Sequence, residues 1–177
     1  MDIGRTMLLN QLPRHRLDAG TFGTMGVGLG FALAAAVYCR DYHPNKRVVC
    51  VQGDSAFGFS GMEIETIARY RLPVIIIIFN NNGIGFGIQD EMWEMAEKSG
   101  DLLLTIPPTS LQPNTRYDKL MEAFGGKGYF AHTSEELRAS LEDALKHTKV
   151  PSIINVMIDP GARRKTQEFF WLTKSNL

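Results

Sequence analysis

Two short apolar runs constrain the fold of this chain more than any other feature. Arg47 to Gln52 (RVVCVQ) and Val74 to Phe79 (VIIIIF) are rich in β-branched residues and continuous rather than alternating. A strand with one wet face alternates, whereas a continuous run fits a strand covered on both faces, as in a parallel sheet. Between the runs, Ser60 and Glu63 have capping-box spacing, which predicts a helix start. Pro73 follows its expected end near Tyr70 or Arg71. Strand, helix and strand in this order predict a βαβ unit.

The alternation continues downstream. Tyr117, Leu120, Met121 and Phe124 keep helical spacing, and Gly125-Gly126 ends that helix. Lys127 to Ala131 reads as a short strand, and Thr133 with Glu136 as a second capping box. Leu137, Leu141, Ala144 and Leu145 make one helical face, and Ser152 to Ile158 reads as a last strand. Upstream, Gly26 to Cys39 is apolar almost all round, which predicts a buried helix. Gln89 to Asn114, with Pro107, Pro108 and Pro113, reads as irregular and long for a plain loop, which hints at function. The sum is a three-layer α/β/α domain with a mostly parallel sheet.

Composition narrows the function classes. A chain of 177 residues, 44% hydrophobic, can bury a core without staples. Its 19 basic and 19 acidic residues exclude disorder along the whole chain. The same balance argues against a nucleic-acid partner held by bulk electrostatics. No apolar run is long enough to cross a bilayer, so no membrane partner is expected. Cys39 and Cys50 form neither a disulfide framework nor a zinc quartet, and the four histidines lack metal-ligand spacing. Gly26, Gly28 and Gly30 read as close helix packing. No strand precedes them and no later acidic residue has dinucleotide-site spacing.

In such a sheet, ligands sit beyond the carboxyl ends of the strands. Two polar clusters fall there: Gly53-Asp54-Ser55-Ala56 and Asn80-Asn81-Asn82-Gly83. A carboxylate, an amide oxygen and free carbonyls make a hard-oxygen site apt for magnesium. Backbone N–H groups after Asp54 suit phosphate oxygens. Either cluster alone is commonly a ligand-free turn. Both, one βαβ unit apart, favour a site, and a turn does not need three asparagines.

Gly53-Asp54-Ser55, then 24 residues, then Asn80-Asn81 resembles the signature of thiamine diphosphate enzymes. Gly53 to Thr66, Met1 to Thr6, Arg16 to Gly20 and Ala123 to Tyr129 resemble their oxalyl-CoA decarboxylase and 2-hydroxyacyl-CoA lyase branch. The terminal Phe170 to Leu177 is similar to the lyases. Ser55 departs from the usual Gly-Asp-Gly but matches this branch. Gly85-Phe86 is a clearer departure, because the compared lyases have Tyr directly after the Gly83-Ile84 pair.

The resemblance implies a thiamine diphosphate-binding fold and a set of roles. Asp54, the Asn81 side-chain oxygen and the Gly83 carbonyl would bind Mg2+. Backbone N–H groups of Ser55 and Ala56 would hold the diphosphate. Gly23 to Gly26 resembles the aminopyrimidine loop, where the Gly23 carbonyl would accept from the 4′-amino group and Met25 would wedge the cofactor into a bent shape. The reaction implied is carbon–carbon cleavage of a 2-hydroxyacyl-CoA to an aldehyde and formyl-CoA. The alternatives are an oxalyl-CoA decarboxylase domain or a non-catalytic subunit-association domain.

It also implies an organisation: residues 1–160 as the C-terminal cofactor-binding domain, 161–177 as a tail, and the family's N-terminal and middle domains absent. The activating glutamate would lie on the missing N-terminal domain. No catalytic residue is therefore assigned here, the fragment alone is expected to be inactive, and a homo-oligomer is expected of the full-length enzyme. Arg14-His15-Arg16 and Arg163-Arg164-Lys165 either meet CoA phosphates or are solvated. Ser175-Asn176-Leu177 resembles a Ser-Lys-Leu signal, which implies a peroxisomal import receptor and peroxisomal localisation, with a cytoplasmic enzyme as the alternative.

Overall fold

The computed structural model describes residues 2–162. The tail residues, including Arg163 to Lys165, Phe170 to Leu177 and the terminal tripeptide, lie outside the described residues. Among the described residues there are four strands, β1 (Val49–Gly53), β2 (Ile75–Asn80), β3 (Lys127–Ala131) and β4 (Ser152–Met157). They form one sheet in the order β1-β2-β4-β3, parallel throughout. Ile75 sits opposite both Val49 and Ser152, so the apolar runs of β2 and β4 meet at the centre.

Helices cover both faces. On one side α2 (Val27–Tyr42), α4 (Glu63–Arg69) and α7 (Tyr117–Ala123) enclose Cys50, Ile76, Ile78 and Ile153. On the other, Leu137, Leu141 and Ala144 of α8 (Ser134–Lys146) pack on Ile75, Ile77, Ile154 and Val156. This is the expected three-layer α/β/α arrangement. A short α1 (Asp2–Met7) precedes these elements.

Several local expectations are corrected. Strand β1 is not covered on both faces: Val49 is 45% and Val51 38% exposed. The reason is width. Four strands span about 14 Å, and one helix is about 10 Å across, so α8 over β3 and β4 cannot reach the edge strand. Helix α2 is a stripe rather than buried all round, with Leu29, Ala32 and Ala36 inside and Tyr38 and Tyr42 exposed. Leu145 lies outside the α8 face, at 45% exposure. Asp54 opens a short helix, α3 (Asp54–Gly58), that the sequence pattern did not suggest.

The irregular stretch Gln89 to Asn114 contains α5 (Asp90–Ser99) and α6 (Leu102–Thr105). Asp90 and Glu91 in the first turn suit the positive end of the α5 dipole, and all three prolines fall after α6. The second capping box forms in part. The Thr133 hydroxyl accepts from the Glu136 N–H at 3.2 Å, while the Glu136 carboxylate takes the His132 N–H at 2.7 Å. The first does not form: α4 begins at Glu63 with Met62 as its N-cap and no side-chain cap.

Candidate functional site

Strand β1 ends at Gly53 and delivers Asp54 as the first residue of α3, where it is 1% exposed. One carboxylate oxygen accepts the Ser55 N–H at 2.8 Å and the other the Gly83 N–H at 3.1 Å. Burial pushes its pKa above the usual carboxylate value, and backbone N–H groups of Ser55, Gly83 and Asn82 oppose that rise. Among the described residues no Lys, Arg or His forms an ion pair with it. A buried carboxylate without a countercharge is costly, and a bound cation would remove that cost.

The asparagine run that begins on the last residue of β2 has a separate structural use for each member. Asn80 is fully buried: its amide donates to the Thr115 carbonyl at 3.3 Å and its oxygen accepts the Asn82 N–H at 3.1 Å. Asn155 on β4 donates to the same carbonyl at 2.9 Å. Asn82 takes a left-handed backbone, φ 57°, and accepts the Asn114 N–H at 3.2 Å. Asn81 donates its amide nitrogen to the Gly85 carbonyl at 2.9 Å, which turns its amide oxygen the other way. Gly83 follows in a turn that only glycine fits. A Cβ there would lie 2.5 Å from the Phe86 carbonyl and 2.8 Å from the Gly87 Cα.

The structure thus brings Asp54, Ser55 and Gly83 together by direct hydrogen bonds, and Asn81 stands two residues before Gly83 in the same turn. The donor set of one carboxylate, one amide oxygen and one carbonyl fits a hard cation. The Ser55 N–H is taken by Asp54 itself, which leaves the Ala56 N–H among the first-turn donors of α3. Gly85, where the compared lyases have Tyr, stands at φ 88°.

Gly23 and Met25 lie in the turns before α2. The Gly23 N–H donates to the Ala19 carbonyl at 3.1 Å, and Met25 is 36% exposed. They are tied to the Asp54 end through Gly26, whose carbonyl accepts the Ser60 hydroxyl at 2.6 Å. Burial pushes the Cys50 thiol up to about 11, so it is not a nucleophile near neutral pH. A cleft of about 290 Å³ opens beside Asn82 and Asn114, walled by His132, Asp90 and Asp159, but Asp54 and Met25 do not line it. The sequence reading missed Ser60, Thr115 and Asn155. Only Asn155, a polar residue inside the apolar run SIINVMI, carried a visible signal.

Residues 2–156 match the family described as thiamine pyrophosphate enzyme, C-terminal TPP binding domain. The chain belongs to that family. As a TPP-binding domain it is similar over its whole length to human 2-hydroxyacyl-CoA lyase 1, with 59% identity over 177 residues and 31% of the relative covered. Oxalyl-CoA decarboxylase of Escherichia coli K12 is 48% identical over 162 residues, covering 92% of this chain and 26% of the relative. Among solved structures, benzoylformate decarboxylase from Polynucleobacter necessarius superposes with a TM-score of 0.63 at 26% identity. That superposition covers 80% of this chain and 25% of the other. The TPP-binding domain therefore spans under a third of the length of these relatives.

Proposed function

We propose that this chain is the cofactor-binding part of a thiamine diphosphate- and Mg2+-dependent 2-hydroxyacyl-CoA lyase that releases an aldehyde and formyl-CoA. The observation that carries the cofactor reading is the buried Asp54 carboxylate, bonded to the Gly83 N–H and without an ion-pair partner among the described residues. The choice of lyase over decarboxylase rests on identity, 59% against 48%, and on alignment through all 177 residues rather than 162.

When bound, thiamine diphosphate supplies a nucleophilic carbon and an electron sink. The chain's own share is binding and orientation. Asp54, the Asn81 side-chain oxygen and the Gly83 carbonyl hold the cation. First-turn N–H groups of α3 hold phosphate oxygens, the Gly23 carbonyl accepts from the aminopyrimidine amino group, and Met25 shapes the cofactor's bend. The group that activates the aminopyrimidine is placed on another domain, and the working enzyme is a homo-oligomer. Peroxisomal import through Ser175-Asn176-Leu177 belongs to the same proposal.

The deciding assay uses the protein that joins this chain to its remaining domains. Given a 2-hydroxyacyl-CoA, it should release an aldehyde and formyl-CoA. Turnover of oxalyl-CoA with no cleavage of the hydroxyacyl thioester would replace the lyase reading with the decarboxylase one.

A further inference from the structure

Ser60 has the spacing of a helix cap, yet its hydroxyl caps no helix. Helix α4 begins three residues later, at Glu63, and its N-cap, Met62, makes no side-chain cap. The Ser60 hydroxyl instead donates to the Gly26 carbonyl, 34 residues earlier, at 2.6 Å. Around that bond the two segments are in close register. Gly26 is at φ 89°, and a Cβ on it would stand 2.7 Å from the Phe59 Cβ. The segment carrying Phe59 and Ser60 leaves α3, which starts at Asp54, and Gly26 directly follows Met25. One side-chain bond and one glycine contact therefore join the two ends of the candidate site. A residue that gives up a favourable local role for a long-range one marks a place where function outweighs local preference.

We propose that Ser60 is a positioning residue whose bond to the Gly26 carbonyl fixes the spacing between the Gly23–Met25 loop and the Asp54 centre. A cofactor reaching both ends then meets a preset gap rather than having to order it. This rests on the reading of Gly23 and Met25 as the aminopyrimidine contact. The chemistry sets the consequence. A ligand that occupies only the Asp54 end is indifferent to the gap, while one that spans both ends bears the cost of a loosened loop.

The test compares two ligands, each with Mg2+, by isothermal titration calorimetry on the full-length protein: inorganic pyrophosphate and thiamine diphosphate. Ser60→Ala should weaken thiamine diphosphate binding about two- to tenfold, the range of one lost hydrogen bond. Pyrophosphate affinity should stay within about twofold. Ser60→Thr, which keeps the hydroxyl, should restore the wild-type ratio. Gly26→Ala should show the same pattern more strongly, since its Cβ forces the two segments apart. Should the alanine variant not fold, Ser60→Cys, a weaker donor of similar shape, carries the same comparison. Unchanged thiamine diphosphate affinity in Ser60→Ala would overturn the proposal, as would equal weakening of both ligands or no rescue by threonine. A wild-type protein that binds both ligands equally well would instead overturn the aminopyrimidine reading on which the proposal rests.

Discussion

Gly83→Ala tests how much of the site depends on one missing side chain. The new Cβ would meet two backbone atoms, the Phe86 carbonyl oxygen at 2.5 Å and the Gly87 Cα at 2.8 Å. Neither can rotate away, so the turn itself must move by roughly 1 Å to reach ordinary contact. The Gly83 N–H, now 3.1 Å from the Asp54 carboxylate, would leave hydrogen-bond range. Overpacking costs about 1–3 kcal/mol, and a lost bond to a charged acceptor about 1.5–3 kcal/mol. The sum, about 2.5–6 kcal/mol, lowers the melting temperature by about 5–24 °C for a domain of this size. The shift also moves the Gly83 carbonyl, so Mg2+-dependent cofactor binding should weaken along with stability. Gly30→Ala is the control: it lies in α2 with no atom within 4 Å of its Cβ, and should be neutral or stabilising by about 0.5–1 kcal/mol. Thermal melts and cofactor titration of both variants decide the matter. A Gly83→Ala protein that melts with the wild type and keeps its affinity would show that the tight turn does not shape the site.

Arg47 donates to the carbonyls of Pro73, Leu145 and His147 at 3.1, 3.0 and 2.8 Å, tying the start of β1 to the end of α8. Arg47→Met should cost about 2 kcal/mol in denaturant melts while leaving cofactor affinity unchanged. The hydrogen bond from the Tyr129 hydroxyl holds the Asp143 carboxyl below the usual carboxylate value, with His147 and Lys127 adding to the effect. Its stabilising contribution is therefore present above the unfolded-state pKa and is lost as pH falls through the folded one. Asp143→Asn should flatten the acid side of the stability–pH curve, below about pH 4, and a profile that superposes on the wild type would exclude the contribution. The purified 177-residue chain should fold yet show no lyase turnover, if the activating carboxylate is supplied by another domain as proposed. A fluorescent protein ending in the last dozen residues should enter peroxisomes, and one lacking Leu177 should stay diffuse.

The central strands were legible because buried parallel strands leave a simple trace. VIIIIF and SIINVMI place β2 and β4 nearly to the residue. The edge strand was less so, since a continuous apolar run does not report that one helix is too narrow to cover Val49 and Val51. Prolines at 107, 108 and 113 coloured the reading of a segment whose earlier half carries ordinary helix signals, Asp90 at the start and Gly100 at the end. Asp54 and the asparagine run were visible as polar residues at strand ends. What each asparagine does was not, because Thr115 and Asn114 meet them only through tertiary structure. Ser60 was misleading for the same reason. Its local pattern is that of a cap, and only the packing of Gly26 against Phe59 reveals its partner.

The claim at the centre of this account is that Asp54, Asn81 and Gly83 form the cation site through which the cofactor's diphosphate is held. Titration calorimetry of thiamine diphosphate into the full-length protein tests it most directly, run with Mg2+ and then with the metal removed by EDTA. Binding should require the metal, and Asp54→Ala and Asn81→Ala should each abolish it, while thermal melts show both variants still folded. Undiminished affinity in both variants, or equal affinity after metal removal, would contradict it.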